Sequence, residues 1–184
     1  VFTADHGEEF MDHGKLDHAR NLYNETVRIP LFIRLPGAAC ATNSNEIVSL
    51  VDVAPTLLAI VGCKPPASWQ GRALINQNGN VLSQKERYVL AHLRYNIALP
   101  LDAIIGPSWK LITNENTKAR ELYNLKDDPG ERNNLAKSQP EITEQQNEIF
   151  QQFALALSSA PKTGEKKTLQ KEKEEMLRSL GYIK

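Results

Sequence analysis

Between Asp5 and His18, in "DHGEEFMDHGKLDH", the chain places three of its four histidines and five carboxylates. Imidazole nitrogens and carboxylate oxygens are the donors that hold divalent cations, and a histidine serves equally well to meet an anionic substrate. Asp5 and His6 follow the short apolar run "VFTA". At a strand exit the backbone no longer holds neighbours on opposite faces, so an adjacent carboxylate and imidazole can both face one ion, and Gly7 lets the chain turn there. A solvated acidic loop would account for the same composition, and residue types alone leave both open. His13 and His18 lie five apart with Gly14 between them, so they are not an i, i+4 helical pair, and no H-E-x-x-H signature is present. His18 is a candidate contact for an anionic group, or a plain surface histidine.

The flanking segments must position these groups. Residues 1–4 read as a short β stub. "RIPLFIRLPG" carries an apolar run over 29–35, with Pro30 at its start and Pro36-Gly37 as its closing turn, which suits a strand covered on both faces in a mostly parallel sheet. In "VDVAPTLLAIVG" the pattern predicts a helix over 53–61, with Asp52 as N-cap, Pro55 in the first turn and Gly62 as the stop. "RYVLAHLRY", "DAIIGPSWKLIT" and "ARELYNL" are short β-type segments separated by turn residues, the pattern of a small antiparallel sheet. "DDPGE" predicts a type II turn with Pro129 and Gly130 at its centre. From Ser138, taken as a cap, Ile142, Ile149, Phe153, Ala156 and Leu157 recur on one helical face, and Leu169, Met176, Leu177 and Leu180 mark a last amphipathic helix. The texture changes between Pro65 and Glu86, which divides the chain into an α/β portion over 1–75 and an α+β portion over 76–184.

The totals exclude several classes. With 22 basic and 22 acidic residues in 184, the formal net charge is zero, and nothing favours nucleic acid or an anionic membrane as partner. No run approaches the ~20 apolar residues of a bilayer span. Cys40 and Cys63 are too few for a disulfide framework and read as two small, partly buried residues, a single bridge being the alternative in an exported protein. The first residue is Val and the pattern begins inside a strand, so an N-terminal part is expected to precede it, and the missing signal peptide says nothing of compartment.

"TADHGEEFMDHGKLDHARNLYNETVRIPLFIRLPG" resembles the C-terminal metal-and-substrate segment of sulfatases, in the alkaline-phosphatase superfamily. "VDVAPTLLAIVG", "WQGRAL", "WKLI" with "ELYNLKDDPGERNNLA", and "LRSLGYI" resemble further motifs of that family in the same order. The resemblance implies a partial sulfatase-like mixed α/β sheet, followed by a C-terminal antiparallel sheet with packed helices. It implies that Asp5 and His6 are half of a metal site, that His18 contacts the sulfate or assists the leaving group, and that His13 packs beside the site and contributes to substrate binding. Arg28, Pro30, Asp52, Pro55, Thr56, Tyr123, Asp128, Pro129 and Glu131 match positions with structural roles, and the other acids of the opening cluster form a polar loop.

Many sulfatases carry Asn where this chain has His6, and Gly where it has Ala19. Calcium is the metal the family implies, while an imidazole ligand favours manganese or zinc. The nucleophile implied is a formylglycine from a C/S-x-P-S-R motif. Neither cysteine sits in one, so it is expected upstream, and the segment alone is expected to be inactive. The implied activity is hydrolysis of a sulfate ester on a small molecule or glycan. Asp5-His6 is also the pattern of related phosphodiester and phosphonate monoester hydrolases, and a non-catalytic metal- or partner-binding remnant is the third possibility. The family implies a periplasmic, secreted or lysosome-like compartment; substrate and oligomeric state are not legible.

Overall fold

The computed structural model describes residues 1–37, 43–83, 87–94 and 100–158. Cys40 and the last helix expected around Leu169, Met176, Leu177 and Leu180 lie outside these.

The four-stranded antiparallel sheet forms where alternation predicted it. Its strands are β5 (Val89–Leu93), β6 (Leu101–Ile105), β7 (Trp109–Asn114) and β8 (Arg120–Asn124), in the order β5-β6-β7-β8. Period-2 alternation gives the sheet two apolar faces. On one, Ala103, Ile112 and Tyr123 pack with Leu22, Tyr23 and Val27 of the front segment. On the other, Ile104, Leu111 and Leu122 pack with Ile142, Ile149 and Phe150 of α3 (Pro140–Ser158). The sheet is thus the middle layer, and the segment bearing the chemistry lies on the side away from α3.

The front is built from small pieces. β1 (Phe2–Thr3) pairs antiparallel with β4 (Leu31–Phe32), and β2 (Glu9–Phe10) pairs with β3 (Leu16–Asp17). A short helix, α1 (Asn24–Val27), lies between these pairs. The doubly covered strand expected over 29–35 is corrected: only two of its residues enter a ladder, the pairing is antiparallel, and Phe2 and Phe32 are each 65% exposed. Pro30 has no N–H to donate, and among the described residues the two-residue β1 is the only ladder partner. The Phe2 and Phe32 rings lie 5.9 Å apart.

A 3-10 turn (Leu50–Asp52) leads into α2 (Val53–Ile60), which ends at Gly62 with φ +75°. Asp52 stands at the N-cap position, but its side chain does not cap α2. It is fully buried and accepts from the Ser49 and Arg72 N–H groups (both 2.8 Å) and from the Arg87 guanidinium (2.5 and 2.8 Å). Burial pushes the Asp52 carboxyl up, and the Arg87, Arg72 and Ser49 hydrogen bonds outweigh it, holding the group below the usual carboxylate range.

Three further expectations change. The 128–131 turn closes with the Glu131 N–H on the Asp128 carbonyl (3.1 Å), but Gly130 lacks the positive φ of a type II turn, and the left-handed residue is Glu131, φ 53°. Ser138 does not cap α3; its hydroxyl donates to the Leu135 carbonyl (3.2 Å), and Pro140 opens the helix. Cys63 is exposed, not partly buried.

Candidate functional site

His6 and His18 come together. Their rings stack with centroids 4.1 Å apart, and the His18 Nδ1 lies 2.7 Å from the Glu8 carboxylate. Ligand-capable atoms of His6, Glu8 and His18 all lie within 4.8 Å of one another on an exposed surface. Asp5, with its side chain 86% exposed, accepts from the His6 N–H (3.0 Å) but lies outside this group of three. Its own and the His6 backbone N–H groups hold its carboxyl below the ordinary range.

The local backbone explains how these groups are aimed. The Gly7 N–H donates to the Thr26 carbonyl (2.9 Å), and a Cβ on Gly7 would strike the Glu25 carbonyl oxygen, so only glycine lets the strand exit lie against α1. His18 is flanked by two left-handed residues, Asp17 (φ 82°) and Ala19 (φ 61°). Ala19 occupies the backbone conformation that its glycine counterpart in the family would adopt without strain.

Beneath the exposed histidines lies a polar underlayer. Glu9 is fully buried, not part of a solvated loop as expected: its Oε1 accepts from the His13 and Lys15 N–H groups (both 2.9 Å), and its Oε2 from the Asn21 amide. Three hydrogen bonds to one carboxylate fold residues 9–21 around it.

His13 is engaged on both nitrogens. Its Nδ1 lies 2.6 Å from the Glu25 carboxylate, its Nε2 3.1 Å from the Glu131 carbonyl, and its ring stacks 3.8 Å from that of Tyr23. Both partners are acceptors, so the geometry suits the doubly protonated ring. Burial pulls the His13 imidazole down, but the Glu131 carbonyl and Glu25 carboxylate outweigh it and raise the group above its ordinary value.

Below His13 sits a junction that residue patterns gave no sign of. Lys110 on β7 and Glu131 are both fully buried and pair at 2.6 Å. The second Glu131 oxygen accepts from the Asn24 N–H (2.5 Å), and the Lys110 ammonium reaches the Asn24 side chain (3.3 Å). Nearby, the Tyr23 and Tyr123 hydroxyls both donate to one Glu121 oxygen (2.7 Å each). Such contacts rivet the histidine-bearing segment to the sheet. A lysine inside a β-strand gives no advance notice of a partner 21 residues away, and Glu8 is one acid among five.

Comparison with known proteins decides the family. The profile described as "N-sulphoglucosamine sulphohydrolase, C-terminal" matches residues 11–158. The chain belongs to the sulfatase family. Its C-terminal portion is what this segment represents: it is 27% identical over 153 residues to arylsulfatase K of Bos taurus, covering 78% of this chain but 28% of that protein. To the Escherichia coli sulfatase YidJ it is 28% identical over 137 residues, covering 73% of this chain and 27% of that one. Among solved structures, a 2-O GAG sulfatase superposes with a TM-score of 0.76 at 23% identity, over 89% of this chain and 37% of the other. Another, in complex with its substrate D-glucosamine-2-N,6-O-disulfate, superposes at 0.64 with 26% identity, over 88% and 35%. The sulfatase segment contains, among its described residues, no helix long and apolar enough to cross a membrane.

Proposed function

We propose that the intact protein hydrolyses a sulfate ester of a small molecule or glycan, and that this segment supplies the His6–Glu8–His18 end of its reaction centre. The observation that carries this reading is the convergence of His6 and His18, with Glu8 on the His18 Nδ1, in a chain of sulfatase ancestry. With Nδ1 on Glu8 the His18 ring is oriented, and a proton carried on its Nε2 would meet a sulfate oxygen or pass to the departing alkoxide. The donor set fits a divalent cation: His6 offers nitrogen, Asp5 and Glu8 offer oxygen, and all three are exposed. Oxygen donors suit calcium, and the imidazole admits manganese or zinc. Bound there, the ion would neutralise charge on sulfate oxygens, and a formylglycine upstream would supply the nucleophile. The residues of this segment bind and orient the sulfate; without the upstream part they do not turn it over.

The test compares the intact protein on an aryl sulfate and an aryl phosphodiester. Preference for the sulfate ester, loss of activity on chelation, and a fall of about 10²–10⁴ in kcat for His18→Ala are expected. A second reading, phosphodiester or phosphonate monoester hydrolysis, is favoured by the Asp5-His6 pair, and a clear preference for the diester would establish it instead. Absence of either activity would leave the segment a binding remnant.

A further inference from the structure

On the α3 side of the sheet, away from His6 and His18, a cleft of about 400 Å³ opens between β5–β7 and α3. Its floor is a hydrogen-bonded pair: Asp102, 4% exposed, lies 2.6 Å from the His92 Nδ1. His92 and Asp102 face each other across β5 and β6, in register. The Arg94 guanidinium reaches the same Asp102 oxygen (2.6 Å), the Glu115 carboxylate (2.9 Å) and the Leu101 carbonyl (2.8 Å), so it is used within the chain. Burial pushes the Asp102 carboxyl up, but His92 and Arg94 outweigh it, so this carboxylate stays ionised.

Two groups remain for a ligand. With Nδ1 on Asp102, His92 presents Nε2, which makes no hydrogen bond among the described residues. The Lys118 ammonium also lines the cleft and makes no ion pair among them. From α3 come Asn147, whose amide donates to Glu144 (2.9 Å), Gln151 and the ring of Phe150, and Glu144 is itself paired with Arg120 (2.7 Å). The fixed charges facing His92 cancel: Arg94 and Lys118 are positive, Asp102 and Glu115 negative. A ring face, two amides, an imidazole acceptor and an ammonium without an ion pair, in a cleft of about 400 Å³, are the chemistry that recognises an acidic sugar unit.

We propose that this cleft is a second saccharide-binding site, taking a sugar that bears one sulfate or carboxylate, with the anion on Lys118 Nζ, a sugar hydroxyl donating to His92 Nε2 and the sugar against Phe150. The site stands apart from the sulfate-hydrolysing end and does not rest on turnover there.

Calorimetry on the intact protein carrying His18→Ala separates the two, with N-acetylglucosamine 6-sulfate, neutral N-acetylglucosamine and inorganic sulfate as probes. The sulfated sugar is expected to bind best. His92→Phe and Lys118→Ala, added singly, should each weaken it about tenfold, the loss of one hydrogen bond or one ion contact. Lys118 is exposed, so that variant does not depend on a refolded core. Binding untouched by both substitutions, or no binding, overturns the site. Equal binding of inorganic sulfate or of the neutral sugar overturns the saccharide assignment. Hydrolysis by the parent protein is measured separately, so its failure bears only on the other end.

Discussion

Replacing Lys110 by Met tests whether the buried junction holds the histidine-bearing segment to the sheet. Lys110 and Glu131 are both fully buried at 2.6 Å, and the carboxylate keeps only the Asn24 N–H when the ammonium is gone. Removing one partner of a buried pair leaves an uncompensated charge and costs about 3–5 kcal/mol. For a chain of this size that lowers Tm by about 10 °C. Burial already pushes the Lys110 ammonium down, opposed by Glu131, and replacing both members of a buried pair by uncharged groups is often near neutral. The double variant Lys110→Met/Glu131→Gln should therefore recover at least about 1 kcal/mol over the sum of the singles. Urea unfolding followed by tryptophan fluorescence reads this out, since Trp109 opens the same strand as Lys110. A loss below about 1 kcal/mol for Lys110→Met, or strict additivity in the cycle, would refute the reasoning.

Gly7→Ala should cost about 1–3 kcal/mol in thermal or urea unfolding, because the new Cβ collides with the Glu25 carbonyl. An unchanged Tm would show that the strand exit can move away from α1. His13 has a raised folded-state pKa, so its stabilisation is complete below the unfolded value near 6.5 and is lost as pH rises through the higher folded one. Stability should fall more over that window in the parent than in His13→Ala, and identical pH profiles would remove the imidazolium from the account. Ala19→Gly relieves a left-handed alanine but loosens the unfolded chain, so denaturant midpoints should report a gain of at most about 1 kcal/mol; a clear loss would mean the methyl group packs usefully.

What was legible in the residues follows from the range of the physics involved. Strands β5–β8 and helices α2 and α3 announce themselves through local period and turn chemistry, and each is where alternation or 3.6-residue spacing puts it. The 29–35 run misled because continuous apolarity records a demand for cover without naming what supplies it; here Phe32 meets Phe2 and solvent. Gly130 misled for a local reason: Pro-Gly fits two turn types, and the hydrogen bonds of the following Glu131 decide where the left-handed residue falls. Within the candidate site, His6 and His18 were visible as residue types. Their stacking and the choice of Glu8 over its neighbouring acids depend on three left-handed residues, Met11, Asp17 and Ala19, that no composition encodes. Glu9 and Lys110 were invisible for the opposite reason: charged residues are normally outside, and burial is decided by partners distant in sequence.

Asp52 carries a consequence for how the molecule assembles. Its carboxylate joins the entrance of α2 to the Arg72 loop and to Arg87, 35 residues away at the approach to β5. Before Arg87 arrives, sealing that carboxylate from water leaves a charge without its principal counterion. Closure of the 49–72 region is therefore tied to completion of the sheet edge, a long-range step that follows the local helix and hairpins in time. One buried anion thereby makes the seating of α2 depend on a cation 35 residues away.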